Sequence, residues 1–168
     1  DDAHALRKAV SGRQQAVVVG GGYIGLEVAA SLTKLGLCVD VIEMADRLLA
    51  RVASPQISAF FAELHQSHDV GLHIGANCRE ILQKDGAFTG VQLDDGRQIT
   101  AELLLVGIGV LPDLDLAASA GIEAGNGILV DAMMQSSVQD IFAIGDVALI
   151  DGAASRVESV DNAQMTAA

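Results

Sequence analysis

The stretch Gln15-Ala16-Val17-Val18-Val19-Gly20-Gly21-Gly22-Tyr23-Ile24-Gly25-Leu26-Glu27 decides the architecture. Its apolar run from Ala16 to Val19 is unbroken, which suits a strand covered on both faces. Glycines then turn the chain, and Tyr23 to Leu35 reads as a helix with Ile24, Val28, Leu32 and Leu35 along one face. Gly36 is placed to close that helix in the left-handed conformation. Leu37 to Ile42 is a second strand that ends at Glu43.

Working outward, residues 3–10 form a short Ala/Leu-rich helical segment. Ser54-Pro55 is a helix start, a hydroxyl cap followed by Pro at the first helical position. Behind it, Ile57, Phe60, Phe61 and Leu64 have the spacing of one buried face, while His65 and His68 read as two surface histidines rather than metal ligands. Val70 to Ile74 is a third strand. The turn pairs Asp85-Gly86 and Asp95-Gly96 punctuate an antiparallel meander from about Glu80 to Thr100, and Leu103 to Val106 returns to the parallel sheet. The expected fold is α/β and Rossmann-like, a dinucleotide-binding parallel sheet with an antiparallel β-meander replacing one crossover helix. Past Pro112 the pattern changes: Gly127 to Val130 and Asp140 to Ile144 read as short strands of a different sheet, followed by Gly145-Asp146.

The 168 residues suffice for a sizeable core, half apolar and poor in aromatics, so Val, Ile, Leu and Ala must fill it. The formal charge of −12 argues against nucleic acid or an anionic membrane as a main partner, since phosphate neutralisation needs a basic surface. Cys38 and Cys78 lack CxxC or metal-ligand spacing and read as reduced, buried thiols of a cytoplasmic protein; a disulfide between them is the alternative. No signal peptide and no membrane-length apolar window is visible. The chain begins Asp1-Asp2 without Met and ends within a helical pattern, as a piece of a longer protein would.

The glycine turn has the chemistry of a phosphate cradle. Gly20 permits the tight turn out of the strand, Gly22 offers no side chain to block a pyrophosphate, and Gly25 lets the helix pack close to the strand. Free amides at the helix start donate to phosphate oxygens, and the helix dipole favours their charge. Glu43, at the end of the next strand, is suited to accept hydrogen bonds from both adenosine ribose hydroxyls and to repel a 2′-phosphate, which selects NAD(H) over NADP(H). Arg47 and Arg51 lie nearby, as arginines do in NADP enzymes, but neither directly follows the acid. Arg51 has two readings, a stacking or charge contact with the cofactor or a plain surface arginine.

Four stretches together resemble the pyridine nucleotide–disulfide oxidoreductase superfamily, and within it the ferredoxin reductases of oxygenase systems. They are Val17 to Ala30, Val106-Gly107-Ile108-Gly109-Val110-Leu111-Pro112, Ile141 to Ala148 around Gly145-Asp146, and Arg156 to Ala163. The resemblance covers essentially the whole chain. It implies that Tyr23 and Ile24 line the dinucleotide, that Glu27 sits near its nicotinamide end, and that Ile108 and Gly109 form the opposite lip. It further implies that Asp146 accepts a hydrogen bond from a flavin ribityl chain, that Val160 offers backbone contact to the flavin ring, and that Glu158 lies near the nicotinamide amide. In that family the NAD segment is inserted between two halves of a flavin domain. The resemblance therefore assigns residues 1–115 to an NAD-binding domain and 116–168 to an incomplete FAD-binding segment.

The parent protein is accordingly expected to carry NAD(H) and FAD and to pass electrons from NADH through FAD to a ferredoxin-type iron–sulfur protein. The cofactors carry such chemistry, so no catalytic side chain and no metal site is expected. Two other readings remain at this point: a nucleotide-binding module without turnover, and an enzyme like the NADH oxidases or coenzyme A–disulfide reductases.

Overall fold

The computed structural model describes residues 2–167; Asp1 and Ala168, the two ends noted above, lie outside them. These residues fall into two compact units, one ending at Gly109 and the other beginning at Val110.

In the first unit, α1 (Asp2–Ala9) leads into β1 (Gln15–Val19), α2 (Tyr23–Lys34), β2 (Cys38–Glu43), α3 (Pro55–Gln66) and β3 (Gly71–Ile74). The meander follows as β4 (Cys78–Lys84), β5 (Ala87–Leu93) and β6 (Gln98–Thr100), and β7 (Leu103–Val106) closes the unit. The parallel sheet runs β3-β2-β1-β7, with Val17 level with Asp40 on one side and Leu104 on the other. The antiparallel sheet runs β4-β5-β6. Its first hairpin turns on Asp85 and Gly86 at φ 53° and 79°, the pair of left-handed residues that a tight two-residue turn needs.

The unbroken apolar run of β1 has its reason in two cores. Ala16 and Val18 point into one shared with Leu26, Ala29 and Leu32 of α2. Val17 points into the other, with Val91, Leu93 and Ile99 of the meander. The meander thus covers the sheet face opposite the helices. β1 is tied to β7 at its base by Glu102, whose carboxylate accepts the Gln14 N–H at 2.6 Å and the Gln15 N–H at 3.3 Å. Arg13 donates to the Glu102 carbonyl.

Both helices are turned part-way from the faces that apolar periodicity picks out: Leu32 is buried and Val28 and Phe61 are half-buried against the core, but the rest of each stripe is not. On α2 the buried residues are Gly25, Leu26, Ala29 and Leu32, whereas Ile24 and Leu35 face solvent at 55% and 65% exposure. Gly25 explains the rotation, because its close approach to Gly20 must lie in the interface and carries positions 29 and 32 in with it. On α3, Ile57, Phe60 and Leu64 are exposed, and the buried residues are Ser58 and His65. Polar pins fix this face. Ser58 Oγ donates to the Leu48 carbonyl at 2.6 Å, and the His65 ring nitrogens face the Phe61 and Leu26 carbonyls at 2.9 and 3.2 Å. His65 is therefore a core residue that links α3 to α2, not a surface histidine; His68 remains exposed. Of the cysteines, both free, Cys38 is exposed rather than buried and Cys78 is half-buried.

The second unit contains α4 (Asp115–Ser119), β8 (Ile128–Val130), a 3₁₀ turn (Gly145–Val147), β9 (Ala148–Ile150) and α5 (Val160–Thr166). β8 pairs with β9 in parallel around Val130, Ala143 and Ala148. Asp140 to Ile144 is not a strand. Asp140 has φ 64°, and the segment makes only an isolated bridge, Phe142 to Gln135. Ser136 and Ala143 amides bonded to the Ile141 and Met134 carbonyls complete that irregular pairing. Among the described residues no helix is long and apolar enough to cross a membrane.

Two outcomes follow. His65→Leu should lower the stability to urea by about 1 kcal/mol, the usual worth of a hydrogen bond. The amides at Gln14, first, and at Gln15 hold the Glu102 carboxyl below its ordinary pKa. A carboxyl depressed in the folded state adds stability above its unfolded pKa and loses it as pH falls through the folded one. Glu102→Gln should therefore flatten the acid limb of a pH–stability curve and leave the neutral-to-alkaline limb parallel to wild type. A parallel acid limb would show that the tie contributes nothing.

Candidate dinucleotide site

The end of β1 is where the backbone comes closest to itself. Gly20 has φ 111°, and a Cβ there would lie 2.3 Å from the Gly107 carbonyl oxygen. A Cβ on Gly25 would lie 2.0 Å from the Gly20 carbonyl oxygen. Neither position tolerates a side chain. The Gly20 N–H donates to the Ile42 carbonyl and the Gly107 N–H to the Val19 carbonyl, both at 2.8 Å, so the turn is locked between β2 and the residue after β7.

Gly22 differs. It is the N-cap of α2, with φ −82° and ψ −175°, a conformation open to any residue. A Cβ there would meet no protein atom within 4 Å. The protein's own packing gives no reason for glycine at this position. Gly22 makes no side-chain cap, and the first turn of α2 carries no acid. Its first-turn amides and the positive end of the helix dipole are left for an anion.

Glu43 stands at the end of β2, as its place in the sequence implies, and its carboxylate is already engaged. Oε2 accepts the Gly21 N–H at 2.6 Å and Oε1 accepts the Ala45 N–H at 2.7 Å. Arg47 is internal scaffold. Its guanidinium donates to the Ala53 and Ala50 carbonyls and to Ser58 Oγ at 3.0, 2.9 and 3.1 Å. Arg51 is exposed on the same loop. Tyr23, Ile24 and Glu27 are exposed on the first turns of α2, and Ile108 is 72% exposed beyond β7, beside Gly109 at φ 130°. The Cys78 thiol, on β4, is pushed up by burial, which favours the unreactive protonated form.

The second unit places the remaining residues. Asp146 is exposed within the 3₁₀ turn, not at the end of a strand. Its carbonyl accepts a bond from Arg156, whose side chain is 5% exposed and whose other terminal nitrogen pairs with Glu158 Oε1 at 2.7 Å. Ser159 caps α5 by accepting the Asn162 N–H at 3.1 Å, which leaves Val160 exposed at the first helical position.

Sequence reasoning passed over Gly21, which occupies a variable position of the turn. A Cβ there would lie 2.6 Å from Leu48 Cδ2 and 3.0 Å from Glu43 Oε2. The available signal was the run of consecutive glycines, one more than the phosphate pattern requires.

The family model for pyridine nucleotide-disulphide oxidoreductases matches residues 1–167. The chain belongs to this family. Within it, the chain is 44% identical over 169 residues to the 5,5′-dehydrodivanillate O-demethylase ferredoxin reductase subunit of a Sphingobium species, covering 96% of this chain and 41% of the relative. Among solved structures it resembles a ferredoxin reductase for the CYP199A2 system from Rhodopseudomonas palustris, with a TM-score of 0.93 and 41% identity over 99% of this chain and 42% of that one. It also resembles the reductase of a covalent putidaredoxin reductase–putidaredoxin complex, with a TM-score of 0.87 and 37% identity over 96% of this chain and 40% of that one. The chain thus spans less than half the length of these relatives.

The two kinds of glycine separate in a stability measurement. Gly25→Ala should cost about 3 kcal/mol or more, because backbone lies where the methyl group must go. Gly22→Ala should leave the thermal midpoint within a few degrees of wild type. A large loss at Gly22 would mean that packing does require glycine there.

Proposed function

We propose that the chain is the NAD(H)-binding portion of a cytoplasmic flavoprotein reductase that passes electrons from NADH via FAD to a ferredoxin-type iron–sulfur protein. The observation that carries this reading is Gly22: a residue that the fold does not require to be glycine, at the uncapped start of a twelve-residue helix, between two glycines that it does. A missing side chain facing open space is explained by a ligand that approaches the backbone there, and pyrophosphate has the charge that the helix start favours.

In this reading, residues 1–115 bind the dinucleotide and 116–168 contribute to the flavin site. The amides at Gly22, Tyr23 and Ile24 hold the pyrophosphate, with Gly20 and Gly25 setting the turn. Glu43 receives the adenosine ribose hydroxyls, and Arg51 lies on the adenine side. Glu27 and the Ile108-Gly109 lip border the nicotinamide. Asp146 and Val160 face the flavin, and Glu158 the nicotinamide amide. Asp146 and Val160 fit that role in being solvent-exposed, with the Asp146 turn and Glu158 held by one buried arginine. The two cofactors supply hydride and single-electron chemistry; the chain's own residues orient them and shape the charge around them. A ferredoxin-type partner is supported by the relatives, one of which is a ferredoxin reductase subunit and another a reductase seen with putidaredoxin.

Calorimetric titration of this chain with NADH and NADPH tests the assignment. NADH should bind more tightly, and Gly22→Ala should abolish binding without unfolding the chain. Tighter NADPH binding would defeat the role given to Glu43. In the full-length protein, stopped-flow mixing with NADH should bleach the flavin absorbance; no bleaching would sink the reductase reading.

A further inference from the structure

The loop after β2 grips the glycine-rich turn through both polar groups of one residue. The Gly21 N–H donates to Glu43 Oε2 at 2.6 Å, and the Gly21 carbonyl accepts the Leu49 N–H at 2.9 Å. Glu43 is itself held, since its second oxygen takes the Ala45 N–H at 2.7 Å. Leu49 is 3% exposed and has φ 54°, a left-handed conformation that residues with a Cβ adopt at a cost. Arg47, bonded to two carbonyls of the loop and to Ser58, is the post that keeps the loop in this shape. The side-chain space beside Gly21 is already filled by Leu48 and Glu43.

We propose that Glu43 is a positioning residue for the phosphate turn as well as a ligand for ribose, so that one carboxylate couples the adenosine-ribose subsite to the pyrophosphate subsite. A carboxylate has about four acceptor sites. Two are taken by the Gly21 and Ala45 amides, which leaves two for the ribose hydroxyls. The ribose therefore binds to a group that is already holding the cradle in shape, and the cradle need not be ordered at the moment of binding. Replacing Glu43 to admit a 2′-phosphate would at the same time loosen the turn that both dinucleotides use. The coupling rests on the dinucleotide reading above; the clasp itself does not.

The test uses two probes, ADP and 2′,3′-dideoxy-ADP, the second of which keeps the diphosphate and lacks both ribose hydroxyls. Each is titrated calorimetrically onto wild type, Glu43→Gln and Gly21→Ala. Glu43→Gln should weaken dideoxy-ADP about tenfold, the worth of a charge-assisted hydrogen bond, and should weaken ADP by more. Gly21→Ala keeps the carboxylate's charge but sets a methyl group 2.6 Å from Leu48 Cδ2 and 3.0 Å from Glu43 Oε2, which disturbs the clasp from the turn side, and it should weaken both probes. Dideoxy-ADP binding within about twofold of wild type in Glu43→Gln, with ADP weakened, would overturn the coupling and leave the dinucleotide reading intact. If wild type binds neither probe nor NADH, that reading fails and the coupling with it. The clasp is then decided by amide hydrogen exchange of the ligand-free chain. Exchange at Gly21 about tenfold faster in Glu43→Gln, with β1 and the centre of α2 unchanged, supports it; wild-type exchange at Gly21 overturns it.

Discussion

The first unit depends on one crowded backbone contact, where Gly20, Gly25 and Gly107 meet at the end of β1. Its geometry leaves no room for a Cβ on Gly20 or Gly25, and in return the turn out of β1 lies directly against the first turn of α2. Everything else near the site is set by that approach. It determines which face of α2 packs on the sheet, how near β7 runs, and where the open amides of the helix start are aimed.

The same contact explains why the most apolar face of α2 is only partly the buried one. Once Gly25 lies in the interface, Ala29 and Leu32 must follow and Ile24 is turned outward. α3 is rotated by a comparable constraint with different chemistry. Ser58 and His65 satisfy carbonyls of the neighbouring loop and helix, so burying them loses little, while Ile57 and Phe60 remain outside. In both helices a local polar or steric requirement outweighs a few apolar side chains.

The loop after β2 shows how a recognition residue is also a structural one. Glu43 holds Gly21, Leu49 holds Gly21 from the other side, and Arg47 holds the loop. This arrangement separates the two arginines of the loop. Arg47 is committed to three internal hydrogen bonds and Arg51 is exposed.

The sequence by itself determined the order of elements in the first unit, because strand and helix periods, turn pairs and the glycine spacing are local properties of neighbouring residues. It determined the place of Gly20, Gly22, Gly25 and Glu43 for the same reason. Tertiary structure alone decided which glycine the fold requires and which it does not, since Gly20 and Gly22 differ in backbone conformation, φ 111° against −82°, and in what lies across space from them: Gly107 in one case, and no protein atom within 4 Å in the other. It likewise decided that His65 is core, that Asp140 to Ile144 is an irregular segment, and that the Glu43 carboxylate grips Gly21. The His65 and Glu43 contacts depend on partners remote along the chain, and the irregular segment on a pairing with residues 134–136 that strand periodicity does not encode.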